Sequence, residues 1–322
     1  MSNHIVPYKG SSDLLNHIPT DAQLLVIGTS PGGCDVARLA SAAGLKRVTL
    51  VSRNGRLPKV QPFKRDLSLE TEVETRIRSL EARAQLQPTG KISLSEVLNE
   101  FLDLVNAIAP DFSWEEFLNA SPDAIQELEN DVQVARRSGA NWQKIMLPLG
   151  VRTPRIWRLL SDEDRHQFRQ KYESCWITHR HGMPLRTAEQ ILEMLKSGFM
   201  RIGALRGTVS ERAGIFSVPV CLRPGELQIV EATHVVVATG PNYQCTSESE
   251  NPLIREIARS GFTESHPLGG FNLEPNSFRL KGRPRVYCIG AMTRGVEFYI
   301  NAMPVLLQQS TEIVHDLFRR LR

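Results

Sequence analysis

Short apolar runs separated by polar or glycine-rich turns begin about twenty residues into the chain. Segments 23–27 and 47–51 have the length and the Leu, Val and Ile content of buried strands. Segment 34–43 between them has the spacing of a helix, and Gly44 stands where helices favour a terminal glycine. This order predicts a βαβ unit of a Rossmann-like α/β fold with a doubly wound parallel sheet.

From residue 65 to residue 143 the apolar positions instead recur every three or four residues among many charges. The run of Val97, Phe101, Leu104 and Val105 is typical of this region and predicts a helical insertion rather than a sheet layer. Three pairs with N-cap spacing predict helix starts: Ser113 with Glu116, Ser161 with Asp164, and Thr187 with Gln190.

Strand-like segments return beyond Gly198. Three of them, 200–205, 215–222 and 227–230, are separated by turns at 213–214 and 224–225 and predict a β-meander. Two further apolar runs, 234–238 and 285–289, end in glycine-rich segments and predict buried strands. A last helix is expected from about residue 302 to residue 320.

The turn after the first strand carries the strongest chemical signal. A pyrophosphate needs bare backbone N–H groups at a helix N-terminus, and glycine lets the backbone approach it closely. The GxGxxG fingerprint of dinucleotide sites occurs here with serine at its middle glycine. We expect nucleotide binding at this turn; a sheet whose nucleotide site has been lost is the alternative. The residues concerned are Gly28, Thr29, Ser30, Pro31, Gly32 and Gly33.

The end of the second strand predicts which nicotinamide cofactor binds. An acidic residue there would hydrogen-bond the ribose 2′-hydroxyl of NAD. The chain has Ser52 and Arg53 instead, with Arg56 and Lys59 close behind. A guanidinium suits the 2′-phosphate of NADP(H), which is therefore the expected cofactor. The alternative is that Arg53 is a solvated surface residue.

Composition excludes several function classes. The 322 residues carry a net charge of +4 with scattered Lys and Arg, which does not favour nucleic acid. No apolar run approaches the roughly 18 residues that span a bilayer, and the polar N-terminus lacks a signal-peptide core. The expected location is the cytoplasm. The five cysteines form no CxxC pair, so reduced thiols are expected.

Other catalytic motifs are absent from the sequence. Cys175, His179 and His181 lack the spacing of a closed zinc site, and polar packing or an anion-binding patch is the expected interpretation. No tyrosine is followed by lysine four residues on, and neither a GxSxG elbow nor a Walker A loop occurs. Spacing alone therefore identifies no catalytic acid, base or nucleophile.

Several stretches together resemble the bacterial FAD/NAD(P)-binding protein family, relatives of flavin monooxygenases and amino-acid N-hydroxylases. They are 26–29 with Asp35, 52–58, 141–142, 155–161, Trp176 with 179–181, 238–241 and 290–295. Their order and spacing hold over nearly the whole chain.

The resemblance implies a domain organisation and a flavin site. In that family an N-terminal dinucleotide fold holds FAD, an inserted second fold holds NAD(P)H, and the chain then returns to the flavin domain. By this correspondence residues 1–62 are an NAD(P)-binding core, 63–198 are the helical insertion and second part of that domain, and 199–322 are a C-terminal remnant of a FAD-binding α/β domain with the β-meander. The implied FAD contacts are Thr239, Gly240, Gly290, Thr293, Arg294 and Gly295.

We expect the first flavin fold of the family to be missing from this chain, because about twenty residues precede Gln23 and a βαβ unit takes roughly 30. We therefore expect FAD to be bound, if at all, with a partner chain that supplies this fold; self-association is the alternative. The implied function is an oxidoreductase, or a monooxygenase-like component of one, that passes hydride from NADPH to a flavin and acts on a small molecule. A non-catalytic nucleotide-binding subunit or truncated paralogue is the other possibility.

Overall fold

The protein is described from a computed structural model covering residues 4–5, 15, 18–62, 66–110, 112–180, 182–223, 225–240, 242–300 and 302–320. The chain forms two compact units, each assembled from three separate stretches. The first contains Met1–Arg65, Asp111–Gln143 and Tyr172–Gly240. The second contains Asp66–Pro110, Lys144–Lys171 and Pro241–Arg322.

The first unit is built on a mixed, mostly parallel sheet, so the chain is an α/β protein. Within the described residues its eight strands are β1 (His4–Ile5), β2 (Gln23–Ile27), β3 (Arg47–Ser52), β4 (Met200–Leu205), β5 (Ser210–Arg212), β6 (Ile215–Leu222), β7 (Glu226–Ala232) and β8 (His234–Val237). The order across the sheet is β1-β8-β2-β3-β4-β6-β5, and β7 pairs with β6. Pairs among β1, β8, β2, β3 and β4 are parallel, whereas β6 is antiparallel to β4, β5 and β7.

Helices cover one face of this sheet. They are α1 (Pro31–Ala42), α5 (Ala124–Arg137) and α9 (Leu185–Lys196). Alternation along β2 turns Leu24 and Val26 toward this side, where they join Val36 and Leu128 in one apolar core. The other two helices of the unit are α4 (Trp114–Leu118) and α8 (Glu173–Arg180).

The second face of the sheet is covered by the β-meander, which corrects the expectation of a doubly wound sheet. Leu25 and Val51 pack there against Phe216, Val218 and Val230. Every second residue of β6 is buried, so one side of the meander is apolar and takes the place that helices hold in a doubly wound fold.

The meander also lies in a different place from the one expected. The resemblance implies that the meander is part of a C-terminal flavin domain. However, β6 pairs with β4 and therefore belongs to the first unit. The cause is the strand order, because β4 continues the parallel sheet beside β3. The predicted boundary between 198 and 199 thus falls inside the first unit, immediately before β4.

The second unit is mainly helical. Its helices are α2 (Glu70–Gln85), α3 (Leu94–Ile108), α6 (Gln143–Leu159, whose first residue falls in the first unit), α7 (Asp162–Lys171), α10 (Pro252–Arg259) and α11 (Met303–Arg320). An apolar cluster that includes Phe271, Leu273, Phe278 and Leu280 forms a core within this unit. Helices in 65–143 and the final helix are confirmed.

Two of the three expected helix starts are confirmed. Ser113 Oγ accepts the Glu116 N–H at 3.2 Å, and Ser161 Oγ accepts the Asp164 N–H at 3.1 Å. The Thr187 start is wrong, because α9 begins at Leu185, directly after Pro184. A proline restricts the backbone so that a helix can begin just beyond it.

The expected strand at 285–289 is also wrong. In that segment only Tyr287 forms a β-bridge, to Arg279. Turns at 281–282 and 284–285 precede the bridge, and Pro284 has no N–H to donate to a ladder. Composition alone did not distinguish this short apolar segment from a strand.

Candidate functional site

Three strand ends meet at one edge of the sheet. β2 lies between β3 and β8, and Ile27 stands opposite both Val51 and Val237. Because all three strands are parallel, the turn after β2, Ser52 at the end of β3 and the residues after β8 lie side by side. The chain continues from β2 to β3 on one side but returns as β8 on the other. Ligands of open α/β sheets bind at such a switch point, outside the carboxyl ends of the strands.

The turn after β2 can be built only with glycine at two positions. Gly28 has φ +133°, and a Cβ there would lie 2.3 Å from the carbonyl oxygen of Ala238. A Cβ on Gly33 would lie 2.1 Å from the carbonyl oxygen of Gly28. The missing side chains therefore let α1 start against the end of β2 and let β8 approach on the other side.

The N-terminus of α1 has backbone N–H groups without an acceptor among the described residues. Ser30 is the N-cap, but its side chain makes no capping hydrogen bond, and Pro31 has no N–H. Among the described residues, no acceptor meets the N–H of Gly32 or Gly33, whereas the Cys34 N–H bonds to Ser30 O at 3.1 Å. Uncapped N–H groups and the helix dipole together favour an anion, so these residues fit a dinucleotide pyrophosphate.

The hydroxyl groups of Thr29 and Ser52 stabilise the turn after β2. Thr29 Oγ1 lies 2.9 Å from Ser52 Oγ and 2.5 Å from the carbonyl oxygen of Arg56. Ser52 Oγ also accepts the N–H of Gly55 at 3.0 Å. These bonds tie the loop after β3 to the turn after β2 and fix the position of Arg53 between them.

Of the three cations after β3, Arg53 alone is exposed. Arg53 makes no hydrogen bond or ion pair with any described residue. Arg56 is buried, and its guanidinium donates to the carbonyl oxygens of Leu118 and Phe117 at 2.9 and 3.0 Å, at the end of α4. Lys59 is bound between the carboxylates of Glu127 and Asp131. Arg53 is thus the cation of this loop that is left for a ligand.

Lys59 belongs to a partly buried charged cluster behind the loop. Its Nζ lies 2.7 Å from a Glu127 carboxylate oxygen and 3.1 Å from an Asp131 carboxylate oxygen. Arg223 also pairs with Glu127, at 2.5 Å. Burial raises the pKa of Asp131. The two positive and two negative charges of the cluster compensate one another inside the unit.

The expected flavin contacts fall in both units. Thr239 and Gly240 are exposed after β8, at the sheet edge of the first unit. In the second unit the Gly290 N–H donates to Gln309 Oε1 at 2.9 Å. Thr293 is fully buried, and its Oγ1 donates to Gly290 O at 2.7 Å. The polar groups of Gly290 and Thr293 that could face a ligand are therefore used internally.

The remaining two flavin candidates pack against aromatic rings of the second unit. The Arg294 guanidinium lies 4.4 Å from the ring centroid of Tyr243 and 5.5 Å from that of Phe298. A Cβ on Gly295 would lie 2.2 Å from the imidazole of His266. The His266 ring therefore leaves no room for a side chain at position 295.

A buried ionic network that the sequence pattern does not reveal supports this segment. Glu297 is 1% exposed, accepts from Gln309 Nε2 at 2.9 Å and contacts the guanidinium of Arg158. Arg158 also pairs with Glu312 at 3.0 Å. Burial raises the pKa of Glu297. The signal in the sequence was a single carboxylate in the apolar run 296–300, which requires a buried partner.

No protein-family model and no curated protein sequence matches the chain. Its fold distantly resembles solved flavin-dependent oxidoreductases. One is an ornithine N-hydroxylase of Kutzneria sp. 744, solved with reduced FAD, NADP⁺ and L-ornithine: TM-score 0.33, 11% identity, covering 94% of this chain and 55% of the hydroxylase. Another is an HOCl-induced flavoprotein disulfide reductase of Escherichia coli, with a TM-score of 0.25 and 11% identity. The match covers 93% of this chain and 71% of the reductase. The chain spans about half the length of the hydroxylase, at 55%.

Cys175 and His179 form a neutral packed pair. His179 Nδ1 lies 2.8 Å from Cys175 O, and its ring lies 3.8 Å from that of Phe117 between centroids. Burial lowers the pKa of His179 to about 3 and raises the pKa of the Cys175 thiol to about 11. The described residues contain no group of three metal-ligating side chains, and His181 lies outside them.

We expect His179 to make the first unit acid-sensitive. Its folded pKa of about 3 lies below the ordinary 6.5, so the unfolded chain binds the proton first. The stabilisation is complete above pH 6.5 and declines as pH falls, by about 1.4 kcal/mol per pH unit. Urea unfolding at pH 7 and pH 5 should show wild type losing about 2 kcal/mol more than His179→Gln. Equal losses would contradict this, and His166→Gln, at an exposed position, is the control.

No helix in the described part of the chain is both long and apolar enough to cross a membrane. The five cysteines are free thiols.

Proposed function

We propose that the chain binds NADP(H) at the turn 28–33 in a Rossmann-like fold, as an oxidoreductase or a component of one. The observation that carries the proposal is the pair of close approaches at Gly28 and Gly33, at an edge where three parallel strands end. The uncapped N–H groups of Gly32 and Gly33 would hold the pyrophosphate. Exposed Arg53, at the end of the neighbouring strand, would hold the adenosine 2′-phosphate.

The hydride acceptor for bound NADPH would be a flavin. When bound, it supplies the redox chemistry of a monooxygenase-type reaction on a small molecule. The protein's own part is to bind and orient the two nucleotides, and Thr239 and Gly240 are exposed at the same sheet edge as the NADP(H) turn. The flavin pyrophosphate would be held by a dinucleotide fold on a partner chain, with self-association as the alternative.

A second candidate is a non-catalytic nucleotide-binding subunit. The observation that favours it is the internal use of the Gly290 N–H and the Thr293 hydroxyl, since neither is left to bind flavin. An absorbance spectrum of the purified protein separates the two. A flavin band, alone or after co-expression with a partner that bears a dinucleotide fold, supports the oxidoreductase. A colourless protein that binds NADPH under both conditions supports the subunit.

We expect Arg53→Ala to weaken NADPH about tenfold or more and to leave NADH nearly unchanged. A hydrogen bond to a charged group contributes roughly 1.5–3 kcal/mol, and only NADPH carries the 2′-phosphate. Titration calorimetry with both cofactors tests this. Arg47→Ala is the matched control, because Arg47 is exposed at the opposite end of the same strand. Equal losses for the two cofactors would remove the 2′-phosphate role from Arg53.

A further inference from the structure

We infer that Arg206 is a second binding group for the 2′-phosphate and shares the selection of NADPH with Arg53. The inference rests on the proposed function of the turn 28–33. β4 runs parallel to β3 with Ala204 opposite Ser52. Arg206 follows Ala204 by two residues and Arg53 follows Ser52 by one, so both arginines emerge just beyond the carboxyl ends of neighbouring strands.

The face of the sheet also suits this role. Side chains alternate along a strand, so Arg206 belongs with Ile202 and Ala204. Ile202 packs in the core beneath α1, and Ser52, the partner of Ala204, bonds to the turn that opens α1. Arg206 therefore follows the strand on the side where the nucleotide turn lies.

The backbone segments that carry Arg206 and Arg53 are both held in place. The Arg206 N–H donates to Pro219 O at 2.9 Å, and a Cβ on Gly207 would lie 2.5 Å from the Pro219 ring. The loop that carries Arg53 rests on β4, since a Cβ on Gly55 would lie 2.7 Å from the carbonyl carbon of Gly203. Neighbouring strands are about 4.8 Å apart, so two arginine side chains can reach one phosphate between them.

Neither guanidinium is paired with a carboxylate in the part of the chain that the structure describes. Arg206 is exposed, and the hydrogen bond its side chain makes within the described residues is a long one, 3.3 Å, to Leu205 O. Arg223, whose backbone N–H bonds to Ile202 O, is instead mostly shielded from solvent, with its side chain 9% exposed, and is paired with Glu127. A phosphate monoester carries about −1.5 to −2 charges near pH 7, which two guanidinium groups balance and one does not.

The test uses the full chain with 2′,5′-ADP and 5′-AMP as probes, beside NADPH and NADH, in titration calorimetry. Arg206→Ala should weaken NADPH and 2′,5′-ADP about five- to tenfold and change NADH and 5′-AMP less than twofold. Arg206→Gln, which keeps most of the side-chain length, should give the same result and guards against a folding defect. Arg212→Ala, at an exposed position of the same meander, should change nothing.

The outcomes distinguish this inference from the proposed function. If Arg53→Ala weakens NADPH and Arg206→Ala does not, the second phosphate contact is overturned while the NADP(H) site stands. Equal losses for the four probes on removal of Arg206 also overturn it. If wild type binds neither NADPH nor NADH, the proposed function and the inference that rests on it both fail.

Discussion

Gly33→Ala is expected to lower the free energy of unfolding of the first unit by about 3 kcal/mol, because the added methyl group conflicts sterically with the backbone. The added methyl carbon would stand 2.1 Å from the carbonyl oxygen of Gly28. Neither group can rotate away, because the Gly28 N–H is bonded to Val51 O at 2.7 Å and Gly33 lies in the first turn of α1. The helix must shift off the end of β2, and the turn 28–33 must open with it.

Urea unfolding and NADPH titration measure both effects. Gly198→Ala is the matched control, since Gly198 has φ +73° at the end of α9 but open space around it. The control should cost about 1–2 kcal/mol, because alanine at a positive φ is strained, and should leave NADPH affinity unchanged. Equal destabilisation by the two substitutions would show that the close approach at Gly33 is not tight in solution.

Arg158→Met is expected to destabilise the second unit by about 3–5 kcal/mol, because it leaves the Glu297 carboxylate buried without its cation. Glu297 is 1% exposed and cannot turn to water. Arg78→Ala is the control; its ion pair with Glu74 is mostly solvated, with the Arg78 side chain 74% exposed, and should contribute under about 0.5 kcal/mol.

The cost of Arg158→Met should depend on pH in a defined direction. Burial already raises the pKa of Glu297, and loss of the guanidinium raises it further. A carboxyl group whose folded pKa exceeds its unfolded pKa takes up a proton on folding, so stability is lost as pH rises. The variant should therefore be less impaired at pH 5 than at pH 8. Adding Glu297→Gln should abolish this difference; a difference that persists would assign it to another group.

Much of the sheet could be predicted because its signals are local. β2 and β6 begin and end at the expected residues, since each is a short apolar or alternating run bounded by turns. The turn 28–33 could be predicted for the same reason: strand, glycines and helix lie within about twenty residues. The helical nature of 65–143 followed from its spacing.

The parts that could not be predicted depend on contacts between distant residues. Whether the second face of the sheet receives helices or the meander is decided by the pairing of β6 with β4, which no local pattern encodes. Arg53 and Arg56 look alike in the sequence, yet only Arg56 is buried, because the end of α4 supplies carbonyl acceptors 61 and 62 residues later in the chain. Likewise, Gln309 on α11 accepts a hydrogen bond from the N–H of Gly290, a residue that the resemblance implies as a flavin contact.

The return of β8 to the centre of the sheet has a consequence for synthesis of the protein. Leu24 pairs with His234, 210 residues later in the chain. At about 5–20 residues per second, a ribosome needs roughly 10–40 s to cover that separation. Until then β2 has a neighbour on one side only, and its other edge is an unpaired template for wrong partners. The crevice in which we propose that NADP(H) binds therefore does not exist on the nascent chain before β8 emerges, so the proposed cofactor would assist only the late steps of folding.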